Sequence, residues 1–280
     1  MKRGYMFSPI FMIPMIGAVL TGFLNGLLGY FVKRLNLGTI SFTIAHAALA
    51  GVAISMITPF NQVFITALVT MVTAVTMALI THRYRDIADF LSMVLFNLFN
   101  AIAVLSLYMS MRYVLASYSL SALLWGHVLT LTISKLAVLV SILMVLLIYI
   151  ILAKHDLNAL LFDYKLAEAE GVDLLLHILV LLILIGVTML SIIQFIGGFL
   201  AFSLLYNPVL TAGFLTKNAE KQQIISPVIG MSTSLLGFLL SLHFNTPIGA
   251  SIALISTSCT LISFIARLIY DSAIKGKMKG

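Results

Sequence analysis

The chain predicts an all-α, polytopic membrane protein with eight or nine transmembrane helices. Three observations carry that expectation. It is 61% hydrophobic and only 9% charged over 280 residues, whereas soluble domains carry roughly 25% charged residues. Its mean hydropathy is +1.15, and several apolar runs reach the ~20 residues that a helix needs to cross the hydrocarbon core. No stretch sustains the period-two alternation of a transmembrane β-barrel. A soluble all-α core would need far more charge to cover its surface.

Nine apolar segments follow in order: 8–32, 38–58, 62–80, 88–110, 132–152, 173–193, 198–215, 223–243 and 249–267. Lys2 and Arg3 precede the first, which runs on to Val32 without a small-residue cleavage site, so it reads as a span and not as a signal peptide. The stretch Gln194-Phe195-Ile196-Gly197-Gly198 is either a tight external turn or a break in one long apolar region. Eight spans plus a re-entrant piece is therefore the rival count. The lone cysteine, Cys259, lies in the last segment, cannot form an internal disulfide and reads as packing. The methionines are scattered through the spans and read as packing too. Residues 1–280 form one transmembrane domain, with no linker or low-complexity tract.

Charge orients the bundle. If the loop at Lys33-Arg34 is cytoplasmic, twelve of the sixteen Lys and Arg residues fall inside, leaving Lys2, Arg3, Arg112 and Lys135 outside or near the outer edge. That is the positive-inside pattern. It places the C-terminus in the cytoplasm and, with nine spans, the N-terminus outside. The net charge of +7 thus reflects orientation. No basic cluster is interleaved with aromatics, so nucleic acid is not implied.

All nine acids fall at cytoplasmic loops or cytoplasmic span ends. Ion-driven carriers commonly keep carboxylates inside the membrane, despite an insertion cost of ~2.5–3.5 kcal/mol each. Without such a group, energy for uphill movement would enter through a cytoplasmic partner. The chain has no Walker A sequence.

Four acids crowd into eleven positions, Asp163, Glu168, Glu170 and Asp173, within LLFDYKLAEAEGVDLLL (160–176). The stretch suits a short helix. Lys165 to Glu168 favour it, Asp163 can cap its start, and Gly171 can end it with positive φ. Phe162, Leu166 and Ala169 then share one face. Such a helix either inserts into a groove on another protein or serves as a solvated connector.

The pattern Phe162-Asp163-x-x-x-Ala167-x-x-x-Gly171-Val172 resembles the coupling segment of the permeases of manganese/zinc/iron ABC transporters. Four more stretches match that family in order: Ala45 to Val52 (AHAALAGV), Leu124 to Leu129 (LWGHVL), Phe199 to Pro208 (FLAFSLLYNP) and Gly237 to Gly249 (GFLLSLHFNTPIG). The resemblance covers nearly the whole chain. It implies a type II ABC importer-like permease in the plasma membrane, working as a homodimer. Cytoplasmic ATP-binding subunits would dock on the coupling loop at about 154–172, and an extracytoplasmic solute-binding protein would deliver the cargo. The chain itself would bind no cofactor, ATP being bound by the partner, and a divalent metal would pass through it. Phe162, Asp163, Leu166, Ala167, Glu170, Gly171 and Val172 are the implied ATPase-coupling residues.

Two positions depart from the family pattern. The family places an Asp four residues before its His, so that carboxylate and imidazole share a helix face and can meet one cation. Here His46 is preceded at that spacing by Phe42. In GFLLSLHFNTPIG the usual Asp is Asn245. The candidate metal residues are His46, then His127 and His243. The candidate path is Phe42, His46, Gly51, Asn207 and Pro208. Asn25, Asn97, Asn100 and Asn207 read as interhelical hydrogen-bonding groups. The leading expectation is the membrane subunit of an ATP-driven importer for a divalent metal. Alternatives are an ABC permease for a chelated metal or other small solute, then an intramembrane enzyme or an ion-coupled carrier. The enzyme reading lacks a paired carboxylate or a clustered HxxxH site.

Overall fold

The computed structural model describes residues 9–114, 131–196 and 198–277. The described residues form helices and no strand. We number them α1 (Pro9–Arg34), α2 (Gly38–Ser55), α3 (Gln62–Arg83), α4 (Arg85–Met109), α5 (Ile133–Leu152), α6 (Lys154–Phe162), α7 (Tyr164–Ala169), α8 (Leu174–Ile196), α9 (Gly198–Leu215), α10 (Ala219–Phe244) and α11 (Ile248–Lys277). A π-helical turn, Ser110–Val114, follows α4. Among the described residues eight helices are long and apolar enough to cross a membrane, and a ninth apolar stretch, Ala201–Leu215, is shorter. The nine expected segments are therefore all helical. α11 runs ten residues past its expected end, where an Arg267–Asp271 pair at 3.0 Å spans one helical turn.

The helices form two compact units. One holds α2 to α8 with the end of α1. At its heart α2 packs against α3, α4 and α8, while α3 and α5 also pack on α8. The small residues of α2 permit this. Ala45, Ala47, Ala48, Ala50 and Ala53 are fully buried, and a Cβ on Gly51 would stand 2.7 Å from the Thr66 Cα of α3. Helices in lipid associate through such close packing, because hydrocarbon supplies no hydrophobic drive between them. The hydroxyls of α3 are satisfied locally: Thr66, Thr70, Thr73 and Thr81 each donate to the carbonyl four residues back. The outer faces are greasy, with Phe90, Ile151 and Leu152 at least 70% exposed.

The other unit holds most of α1 with α9, α10 and α11. The Ser226 hydroxyl donates to the Gly26 carbonyl at 2.7 Å, joining α10 to α1. Asn207 of α9 donates to Thr257 of α11 at 2.9 Å, and the Thr211 and Thr260 hydroxyls meet at 2.9 Å. The expectation for the intramembrane asparagines divides here. Asn207 bonds between helices. Asn25 and Asn100 instead donate to carbonyls of their own helices, at 3.1 Å each, and Asn97 is exposed. An amide four residues from a carbonyl on one helix already has a partner and need not seek a neighbour.

Candidate functional site

The two places that the sequence singles out, His46 and the 154–172 loop, both lie in the α2–α8 unit. His46 sits in the middle of α2 and is 9% exposed. Its Nδ1 lies 3.0 Å from the Phe42 carbonyl. A carbonyl only accepts, so Nδ1 carries a proton; in the neutral ring Nε2 is then the acceptor, the atom able to meet a cation. The ring is flanked by two aromatics, Phe42 at 4.8 Å and Phe96 of α4 at 4.4 Å between centroids. Thr43 fixes this wall by donating to the Ser92 carbonyl of α4 at 2.7 Å. Phe42 therefore does face the imidazole, in the place where the spacing argument puts a carboxylate. Gly51, farther along α2, lies against the backbone of α3.

Asn207 and Pro208 belong to the other unit. Pro208 stands inside α9 and withholds an N–H from the helix ladder. The Asn207 carbonyl accepts hydroxyls from Thr211 and Thr260. His243 is exposed at the end of α10, against Phe244. Asn245 closes that helix with φ 54°, a left-handed conformation that Asn tolerates better than most residues. His127 and the 124–129 motif lie outside the described residues, as does Gly197. Among the described residues no three His, Cys, Asp or Glu side chains gather to hold a metal. All nine acids lie in the connection between α5 and α8 or within two turns of a helix end.

The 154–172 loop folds as two helices where one was expected. α6 covers its first half. Asp163 closes α6, then caps α7 by accepting from the Lys165 and Leu166 amides at 2.8 and 3.3 Å. At the far end Val172 N–H reaches the Ala167 carbonyl and Gly171 N–H the Glu168 carbonyl, each at 3.0 Å. Those are the two bonds of a Schellman motif, with Gly171 in its left-handed position at φ +86°. Ala167, on the inner face of α7, is fully buried, whereas Phe162 is 84% and Leu166 48% exposed. Glu170 is exposed as well, and Val172 is half-buried. The segment thus presents an apolar pair ringed by charge.

Two attachments of this segment were not singled out from the sequence. The Arg85 guanidinium, opening α4, lies 3.6 Å from the centre of the Tyr164 ring. His177, opening α8, contacts both Tyr149 of α5 and Asp156 of α6. Both join residues far apart in the chain, and no local pattern in the sequence marks either pairing.

A model of the ABC 3 transport family matches residues 8–267. The manganese transport system membrane protein MntC of Listeria monocytogenes is 26% identical over 252 residues, covering 90% of this chain and 88% of that protein. The high-affinity zinc uptake system membrane protein ZnuB of Buchnera aphidicola is 27% identical over 261 residues, covering 91% and 97%. The structure of PsaBC from Streptococcus pneumoniae in complex with Fab shares the fold, with a TM-score of 0.79, 23% identity and 93% of each chain covered. The chain belongs to the ABC 3 transport family.

Proposed function

We propose that this chain carries manganese or zinc across the plasma membrane as the permease subunit of an ATP-driven importer. Membership of the family makes it a multi-pass membrane subunit and not an enzyme; ATP hydrolysis belongs to a separate chain. The observation that carries the choice of cargo is the near-full-length match to permeases named for manganese and for zinc. In this reading the permease forms a homodimer. Cytoplasmic ATPases seat on Phe162 and Leu166, with Asp163, Ala167, Glu170, Gly171 and Val172 holding the shape of that surface. A solute-binding protein delivers the ion from outside, and the cargo passes His46. The electrostatics agree, since an importer driven by ATP needs no carboxylate in its spans.

A second reading keeps the same machine and changes the cargo to a chelated metal. Its support is the aromatic wall of Phe42 and Phe96 around His46, which suits an organic shell better than a bare ion. Reconstitution into proteoliposomes with the ATPase and the binding protein separates the two. ATP-dependent accumulation of free Mn²⁺ or Zn²⁺ supports the first, and accumulation only of a chelate supports the second. If neither accumulates, the importer assignment for these metals is wrong.

A further inference from the structure

The connection carrying α6 and α7 is fastened at both roots by one polar chain. Tyr149 lies in the last turn of α5, Asp156 in the first turn of α6 and His177 in the first turn of α8. The Tyr149 hydroxyl is 2.8 Å from His177 Nδ1, and His177 Nε2 is 3.2 Å from Asp156 Oδ2. The carboxylate only accepts, so Nε2–H donates to it; Nδ1 of the neutral ring then accepts the Tyr149 hydroxyl. His177 is 5% exposed. Stability alone does not call for such a group, because apolar side chains of similar volume commonly serve a buried site as well or better.

Beneath the segment lies a cavity of about 180 Å³, lined by Ile40, Thr81, Asp89, Leu160, Tyr164 and Ile178 among others. Close-packed interiors transmit displacement through every contact. The cavity thins that route without closing it: Leu157, Leu160 and Ala167 of the segment are buried in packing, and movement of α6 and α7 passes to the spans also at their polar points of attachment. Those points are the Arg85–Tyr164 stack on α4 and the Tyr149–His177–Asp156 chain, which reaches α5 and α8 together.

We propose that Tyr149, His177 and Asp156 are positioning residues that pass the displacement of the coupling segment to α5 and α8. This rests on the permease reading given above. The linkage predicts a specific defect. Breaking it leaves the docking surface of Phe162 and Leu166 intact, so the ATPase still binds and turns over, but its closure moves the spans less. The test is to measure metal uptake and ATP hydrolysis together in proteoliposomes holding permease, ATPase and binding protein. Tyr149→Phe removes one hydroxyl without changing the packing, and Asp156→Ala breaks the other end at a half-exposed position. Each is expected to lower metal imported per ATP at least fivefold, with hydrolysis within twofold of wild type. A chain broken once gains little from a second break, so the double variant should fall less than twofold below the worse single variant. Unchanged ratios overturn the linkage. So do uptake and hydrolysis falling in proportion, which is what a merely structural role gives, or two fully independent losses. Wild-type vesicles without ATP-driven uptake would sink the permease reading and the linkage together. Wild-type uptake with unaltered variants sinks the linkage alone.

Discussion

His46 offers a cation one ring nitrogen, and the two aromatic rings beside it offer none. Phe42 and Phe96 press on the ring, and the Phe42 carbonyl holds Nδ1, so any metal held here is held at Nε2 with ligands supplied from elsewhere. A passing ion needs weak, brief binding, and one imidazole suits that. His46→Ala should therefore lower ATP-driven uptake at least tenfold while the ATPase still co-purifies. Normal uptake, or a protein that merely fails to fold, removes the support for a path histidine. Phe42→Asp makes a sharper test. It sets a carboxylate on the same helix face, one turn from the imidazole, and should tighten Mn²⁺ or Zn²⁺ binding about tenfold, worth ~1.4 kcal/mol. The same change puts an acid in the first turns of α2, at an insertion cost of at most the ~2.5–3.5 kcal/mol of a span centre. Affinity by calorimetry should rise as the melting temperature in detergent falls. A variant that gains no affinity would show that Phe42 does not stand in a ligand position.

At the scale of the element, α7 is governed by its two ends. Asp163 accepts two amides at the start, and a cap of this kind contributes about 1 kcal/mol. At the other end nothing lies within 4 Å of a Cβ built on Gly171, yet its φ is +86°. The glycine is there for its backbone and not for space. Gly171→Asn should consequently keep coupled transport, because Asn accepts left-handed geometry. Gly171→Val should lose it, at a conformational cost of ~1–2 kcal/mol, seen as ATP hydrolysis that no longer drives uptake. Equal behaviour of the two variants would refute that account. Gly51 is the opposite case. Its Cβ would meet the Thr66 Cα at 2.7 Å, and backbone cannot step aside cheaply. Gly51→Val should push α2 from α3 and cost about 1–3 kcal/mol of stability, read as a lower melting temperature. An unchanged melting temperature would mean that the two helices are free to part.

For the molecule as a whole, the hydrophobic runs made the helices legible because each span must be apolar over a length set by the bilayer. Helix ends were legible where a residue has one strong local preference, as at Asp163 and Gly171. What sequence could not show depends on which helices become neighbours. The Phe96 ring against His46 joins residues 50 positions apart, and the Tyr149–His177–Asp156 chain joins three helices. Local pattern does not encode such pairings. One long-range question can still be argued from charge: whether α9, whose apolar stretch Ala201–Leu215 is shorter than the other spans, crosses the membrane. With the coupling segment inside, a crossing α9 puts Lys217 inside and Asn245 outside. An α9 that turns back reverses both. Lys217 and Lys221 flank that junction, and no Lys or Arg lies between Lys221 and Arg267, so the positive-inside pattern favours crossing. In a Cys259→Ser background, a membrane-impermeant thiol reagent added outside intact cells should label Asn245→Cys and miss Lys217→Cys and Lys165→Cys. Labelling of Lys217→Cys with Asn245→Cys protected would make α9 re-entrant and leave eight crossings. Labelling of Lys165→Cys would invert the orientation and remove the coupling segment from any cytoplasmic ATPase.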